Sequence, residues 1–265
     1  MNIFKHEMRL YFKTTLAWNF WLVMVLVVFA SIYPMFLNSI EIVEKILSSF
    51  PEYLMQAFGL DLMSFSSAIG FFGFLFTYII LIGGIQAMTL GLSLLSNEQR
   101  DKTADFLYTK PVKRSSIIHS KVLVGLCYII ITNIIFSVSA IITLNIISEN
   151  GYSIVLLMLL LGSLFLTQLF FLSLGLMVSV FMNKLKTVVP ISLGTVFLLF
   201  ILNMLNESIQ GKPLTFLTPF AYFHVGRLYS NMSYDLKWLL LNSCLIIVFI
   251  GVSYYKQIKK DLPTV

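Results

Sequence analysis

Charged residues are scarce in this 265-residue sequence: 11% of the side chains are charged, whereas 58% are apolar. Soluble domains carry about 25% charged residues because their surfaces face water. The shortage excludes a soluble globular protein and predicts a chain whose main solvent is lipid. Cysteine (2), proline (7) and glycine (14) are also few, which excludes a disulfide scaffold, a collagen-like repeat and a low-complexity chain.

Motifs for soluble catalysis are also missing. The sequence has no G-x-x-x-x-G-K-[ST] element, so it has no P-loop of its own for ATP. It has no H-E-x-x-H element, and its three histidines do not have the spacing of metal ligands. The centres of the apolar runs contain no Asp, Glu, Lys or Arg, although ion-coupled carriers usually need such groups. We therefore predict neither an enzyme nor a resident cofactor or metal.

Apolar runs long enough to cross a bilayer, about 20 residues, occur six times. They do not show the period-two alternation of a membrane barrel, so each predicts a helix. The expected fold is an all-α polytopic membrane protein with six transmembrane helices in a single domain over residues 1–265. The predicted spans are 16–37, 68–95, 117–147, 154–182, 188–205 and 236–255.

The basic residues indicate the orientation. Six spans place both termini on one side, and 14 of the 18 Lys and Arg residues fall on that side. This bias predicts a multi-pass protein of the cytoplasmic membrane with both termini in the cytoplasm. An anionic inner leaflet accounts for the basic excess, so we expect the lipid bilayer rather than nucleic acid as the partner of these charges.

Two segments outside the spans have patterns of their own. In residues 1–13, Lys5, Arg9 and Lys13 lie opposite an apolar face, which predicts an interfacial amphipathic helix flat on the inner leaflet; a solvated basic tail is the alternative. Residues 206–235 combine prolines with aromatic residues, including Pro219, Phe220 and Tyr222. This mixture predicts an external re-entrant segment that does not span, with a structured external loop as the alternative.

Polar and small residues occur within the spans. The polar side chains require partners on neighbouring helices or in a wet cavity. Small residues four positions apart, such as Ala87 with Gly91 and Gly175 with Ser179, predict close helix packing within the chain. The polar residues in question are Thr132, Asn133, Thr167, Gln168 and Asn203.

The stretch between the second and third spans, residues 96–116, concentrates charge in a chain that otherwise avoids it. A plain connector needs only about 2–6 residues. The mixed charges interleaved with Phe106 and Leu107 predict a short cytoplasmic helix with an apolar contact face, and Pro111 is expected to end it. The alternative is a solvated loop whose basic residues only set the topology.

This stretch resembles the cytoplasmic coupling segment of type-2 ABC transporter permeases. The family motif places a glycine where Lys102 stands here, and the Thr218–Phe223 stretch (TPFAYF) and the overall layout of the chain also resemble that family. The residues at matching motif positions are Glu98, Thr103, Asp105, Phe106, Leu107, Pro111, Arg114 and Lys121.

The resemblance implies the permease subunit of an ATP-driven exporter that forms the translocation path. It further implies a second permease subunit, in a homo- or heterodimer, and a separate ABC ATPase subunit that holds ATP and Mg. The ATPase would bind residues 97–116. A non-transporting membrane scaffold or immunity-type protein and a small secondary carrier are the alternatives. The implied coupling residues are Glu98, Arg100, Thr103, Asp105, Phe106, Leu107, Pro111 and Arg114.

Overall fold

The computed structural model describes residues 3–39, 45–46, 49–51, 55, 67–100, 114–148, 151–182, 187–209 and 211–259. For residues 98–100 and 114 it describes the backbone alone. Within these ranges 89% of the residues are helical and none lies in a strand. The predicted all-α class is confirmed.

Eight α-helices follow one another along the described chain. The helices α1–α5 and α8 are long and apolar enough to cross a membrane, which confirms the six predicted spans. The helices are α1 (Ile3–Asn38), α2 (Ala68–Arg100), α3 (Arg114–Ile147), α4 (Ile154–Phe181), α5 (Val189–Ser208), α6 (Pro219–Tyr222), α7 (Val225–Asn231) and α8 (Leu236–Lys259), with a 3-10 turn at Thr215–Leu217 before α6.

Local sequence signals explain where some helices begin. The hydroxyl of Ser153 accepts a hydrogen bond from the Leu156 amide at 3.3 Å and so caps α4. Helix α5 begins with proline in its first turn, where the missing N–H has no intrahelical partner to lose.

The six long helices form a bundle with two distinguishable ends. At one end, the proximal end, the start of α1 contacts the start of α3 through Glu7 and Lys121, and His119 of α3 contacts Tyr254 near the end of α8. At the other end, the distal end, Tyr234 before α8 donates a hydrogen bond to the Leu159 carbonyl of α4 at 2.6 Å. The beginning of α1 and the end of α8 therefore lie together at the proximal end.

Helix α2 occupies the centre of the bundle. In its most apolar stretch 78% of the residues are buried, compared with 11% for α8. A Cβ atom at Gly91 would lie 2.3 Å from the Leu172 carbonyl oxygen, and one at Gly175 would lie 2.7 Å from the Met88 carbonyl oxygen. The backbones of α2 and α4 thus approach to a distance that only glycine permits, which confirms intramolecular packing for this glycine pair.

The structure differs from the prediction for residues 1–13. From Ile3 onward the chain continues without a break into the first span, and a helix of 36 residues is about 54 Å long. The first proline of this helix is Pro34, so nothing in the sequence interrupts it earlier. Residues 3–13 are therefore the first turns of the long helix α1 and not a helix of their own. The apolar face expected there, which includes Tyr11, packs on the bundle.

The position of Lys5, Arg9 and Lys13 agrees with one part of that prediction. All three side chains are exposed, on the faces of α1 that do not pack on the bundle. Their location at the membrane surface stays a prediction.

Candidate functional site at the proximal end

The predicted coupling segment joins the end of α2 to the start of α3. Glu98 and Arg100 lie in the last turn of α2, and Arg114 is the first residue of α3. Five further predicted residues, Thr103, Asp105, Phe106, Leu107 and Pro111, lie outside the described residues. The structure therefore describes how the two ends of this segment are attached to the bundle.

A buried ion pair lies next to both ends of the segment. The Lys121 ammonium is 2.9 Å from Oε1 of Glu7, and the two side chains are 2% and 6% exposed. The same ammonium donates to the Leu94 carbonyl oxygen of α2 at 2.5 Å. One lysine of α3 thus contacts both α1 and α2.

Two further hydrogen bonds join α1 to the same place. Nδ2 of Asn97, in α2, donates to the hydroxyl of Tyr11 at 2.6 Å. The hydroxyl of Tyr128, in α3, donates to the Met8 carbonyl oxygen. We call Glu7, Tyr11, Asn97, Lys121 and Tyr128 the proximal polar cluster.

Burial makes this cluster sensitive to the loss of a single member. A charge removed from water is tolerated only while its partner and its hydrogen bonds are present. Removing one partner of a buried pair typically costs about 3–5 kcal/mol, because the other charge remains without compensation. Through these contacts the first turns of α1 are bound to the end of α2 and the start of α3, which flank the 97–116 segment.

Sequence reasoning missed part of this cluster. Lys121 appears among the motif residues, but the positive-inside count treats it as an exposed cation, whereas its side chain is 2% exposed. The sequence pattern predicts no role for Glu7 and places Tyr11 only on the apolar face of the N-terminal helix. The available signal was the four-residue spacing of Glu7, Tyr11, Thr15 and Asn19, which forms one buried stripe along α1.

A second polar group lies between α2, α3 and α4. Nε2 of Gln86 donates to Thr132 Oγ1 at 2.9 Å, and Nδ2 of Asn133 donates to Gln168 Oε1 at 2.6 Å. Nε2 of Gln168 donates to Gln86 Oε1 at 3.3 Å. The side chains of Thr132, Asn133 and Gln168 thus have hydrogen-bond partners on neighbouring helices, as the sequence predicts.

Beyond the end of α5, the described part of the distal segment 206–235 contains the 3-10 turn, α6 and α7. The residues predicted there, Pro219, Phe220 and Tyr222, are all buried. The hydroxyl of Tyr222 donates to the Phe216 carbonyl oxygen at 2.7 Å, and its ring stacks on Trp238 with centroids 5.7 Å apart. Short helices occur where the sequence predicts a segment that does not span, and its depth in the bilayer stays a prediction.

His224, between α6 and α7, is the titratable group with a depressed pKa in this segment. Burial lowers the pKa of His224 below its ordinary 6.5, the Glu207 carboxylate raises it, and the cations of Lys212 and Arg227 lower it. The folded state therefore binds this proton less readily than the unfolded state does. The resulting stability is complete above pH 6.5 and is lost as the pH falls below that value.

The comparison with protein families identifies the chain. The family described as "ABC-2 family transporter protein" matches residues 1–262. The chain belongs to the ABC-2 transporter family. No curated protein matches the sequence.

Membership sets the general role of the molecule. The ABC-2 permease is a multi-pass membrane protein and a permease subunit of an ABC transporter. The family implies partnership with an ABC ATPase subunit. The proximal polar cluster of the permease lies at the root of the segment that the sequence assigned to that partner.

Proposed function

We propose that this permease forms the translocation path of an ATP-driven exporter and receives its mechanical input through residues 97–116. A separate ABC ATPase subunit, which binds ATP and Mg, contacts the segment on the cytoplasmic side. A second permease subunit, identical or related, completes the path. Both termini lie in the cytoplasm, and cargo leaves at the distal end.

The observation that carries this proposal is the attachment of the segment to three helices. Lys121 contacts Glu7 of α1 and the Leu94 carbonyl of α2, while it belongs to α3 itself. A force on residues 97–116 therefore acts on α1, α2 and α3 together rather than on a free loop. A conformational change driven by ATP binding requires contacts that differ between the two conformations. An ATPase docked on residues 97–116 provides such contacts, because this segment is attached to three helices of the permease.

The exposed cations support the proposed orientation. Lys5, Arg9 and Lys13 of α1 and Lys256 and Lys259 of α8 are exposed at the proximal end. Cations at one end of a bundle favour the cytoplasmic, anionic leaflet. The proposed ATPase contact and the proposed cytoplasmic face thus coincide.

The test places a charge in the proposed contact face. Phe106→Asp and Leu107→Asp, made in the intact transporter, are expected to abolish co-purification of the ATPase and its stimulated ATP turnover. Membrane insertion should be unchanged. Leu217→Asp is the matched control, because Leu217 is an exposed leucine at the distal end.

Four results would contradict the proposal. Unchanged ATP turnover in both segment variants would remove the site, and an equal loss in Leu217→Asp would make the effect non-specific. A native preparation of the wild type without an ATPase would favour the scaffold or immunity-type role. Transport driven by an ion gradient without nucleotide would indicate a secondary carrier.

A further inference from the structure

A small cavity lies at the distal end, between α2, α5 and α6. It has about 30 Å³ of space, enough for about two water molecules or one small cationic group. Aromatic rings make up much of its wall, and the Phe200 and Phe220 ring centroids lie 5.4 Å apart. The rings lining it belong to Tyr78, Phe200, Phe220 and Phe223.

Two buried oxygen atoms of the cavity lining have no hydrogen-bond partner within the described part of the chain. They are Oε1 of Glu207 and Oδ1 of Asn203. Glu207 is 4% exposed and Asn203 is 6% exposed. The residues are four positions apart on α5, so their side chains lie on the same helix face. Both atoms only accept hydrogen bonds, so the complementary occupant is a group that donates.

The other oxygen of Glu207 already has an ammonium partner. Nζ of Lys212, in the loop after α5, donates to Oε2 of Glu207. The Lys212 side chain is 44% exposed, so this ammonium approaches the carboxylate from the open side. Lys212 has a φ of 47°, a left-handed conformation that few residues other than glycine adopt. The chain thus holds a primary ammonium group against this carboxylate in an unusual backbone conformation.

The other groups near the cavity do not oppose a positive charge inside it. Aromatic ring faces attract cations, and four rings line the space. Nε2 of His224 lies 3.6 Å from Oε2 of Glu207, and burial lowers the pKa of this histidine, so its ring is neutral at physiological pH. Arg227 is 3.6 Å from Asp235, which offsets its charge.

From this geometry we propose that the distal cavity is a binding site for a primary ammonium group and that Lys212, on the other oxygen of Glu207, weakens this binding by partly neutralising the carboxylate. The incoming group donates to Glu207 Oε1 and Asn203 Oδ1, and the surrounding rings face its charge. An –NH₃⁺ group has three N–H donors for these two acceptors, whereas a quaternary ammonium has none. This inference goes beyond the transport proposal, because it concerns equilibrium binding without an ATPase.

The experiment measures binding of ethylamine to the intact permease in phosphatidylcholine nanodiscs by saturation-transfer NMR. The wild type is expected to bind ethylamine saturably and tetramethylammonium not at all. Lys212→Gln is expected to bind ethylamine about tenfold more tightly, because the Glu207 carboxylate is then no longer neutralised by a second cation. Glu207→Gln is expected to lose saturable binding.

Lys237→Gln is the matched control. It makes the same change of charge at an exposed lysine in the first turn of α8, whose ammonium lies 4.8 Å from the Trp238 ring. Its ethylamine affinity should equal that of the wild type. Adding phosphatidylethanolamine to the nanodiscs distinguishes the two sources of the ammonium group: competition with ethylamine indicates a lipid headgroup, and no competition indicates a soluble amine.

Specific results would overturn the proposal. If neither the wild type nor Lys212→Gln binds ethylamine saturably, the cavity holds water alone. Equal binding of tetramethylammonium, which has no N–H group, would show that the two oxygen atoms do not select the ligand. If Glu207→Gln does not fold, Asn203→Leu replaces it, because this change removes one acceptor and keeps the carboxylate. Unchanged affinity in that variant, or in Lys212→Gln, would also refute the assignment.

Discussion

The buried pair between Glu7 and Lys121 allows a quantitative test of the packing at the proximal end. Lys121→Met leaves the Glu7 carboxylate, of which 6% is exposed, without its cation. The expected loss is about 3–5 kcal/mol of unfolding free energy, the usual cost of an uncompensated buried charge. Glu7→Leu should cost a similar amount, because the buried Lys121 ammonium then loses the carboxylate that lies 2.9 Å away.

The double variant Glu7→Leu with Lys121→Met should recover most of this loss. Oε2 of Glu7 is buried without a hydrogen-bond partner within the described residues, so the wild-type pair is incompletely compensated. Apolar replacement of a buried pair is typically neutral or stabilising. The double variant is therefore expected to be far more stable than the sum of the single losses predicts, with a coupling energy of about 2 kcal/mol or more.

The assay is the midpoint of thermal unfolding of the purified permease in one detergent, combined with stimulated ATP turnover of the assembled transporter. Lys13→Met is the control, because Lys13 is an exposed lysine of α1 and its loss should change stability by less than about 0.5 kcal/mol. Additive losses in the double variant would refute the reasoning, since two groups that do not interact give no coupling. Single variants as stable as Lys13→Met would refute it as well.

Three further predictions concern other parts of the bundle. Gly91→Ala should destabilise the permease by about 1–3 kcal/mol in the same thermal assay, because its Cβ would lie 2.3 Å from the Leu172 carbonyl oxygen. The control is Gly194→Ala, which has open space around it and should change stability by less than about 1 kcal/mol. Equal effects of the two substitutions would contradict the close α2–α4 crossing. Gln168→Leu should cost about 0.5–2 kcal/mol, because Gln86 on α2 and Asn133 on α3 each lose one hydrogen bond. An unchanged unfolding midpoint would show that these hydrogen bonds contribute nothing. The unfolding midpoint of the wild type should fall between pH 7.5 and pH 5.5, because protonation of the buried His224 ring favours the unfolded state. His224→Gln should lose less stability over the same interval. Parallel pH curves for the two proteins would exclude His224 as the source of the pH dependence.

The spans were predictable because lipid imposes a simple condition. In hydrocarbon each backbone polar group must be bonded within its own segment, so about 20 apolar residues in sequence predict a helix. The starts of α2, α4 and α8 at Ala68, Ile154 and Leu236 coincide with the predicted starts. The continuous α1 was less predictable, since Lys5, Arg9 and Lys13 produce an amphipathic pattern that an interfacial helix and the projecting end of a long span share.

The sequence could not predict which residues are the hydrogen-bond and ion-pair partners of the buried polar side chains. Glu7 and Lys121 are separated by 114 positions, and Asn97 and Tyr11 by 86. Lysine side chains are usually exposed, and a lysine at the end of a membrane span is normally interpreted as part of the positive-inside bias. Its burial depends on where α1 lies against α2 and α3.

The sequence by itself determined the solvent of this protein, the number of its spans and the family to which it belongs, because these follow from composition and local pattern. The tertiary structure alone decided that one lysine fastens three helices at the proximal end, and that a carboxylate and an amide on one face of α5 line a small aromatic cavity. Such contacts depend on how helices distant in sequence approach one another. A hydropathy pattern specifies which face of a helix is apolar, but it does not specify the neighbour that this face meets.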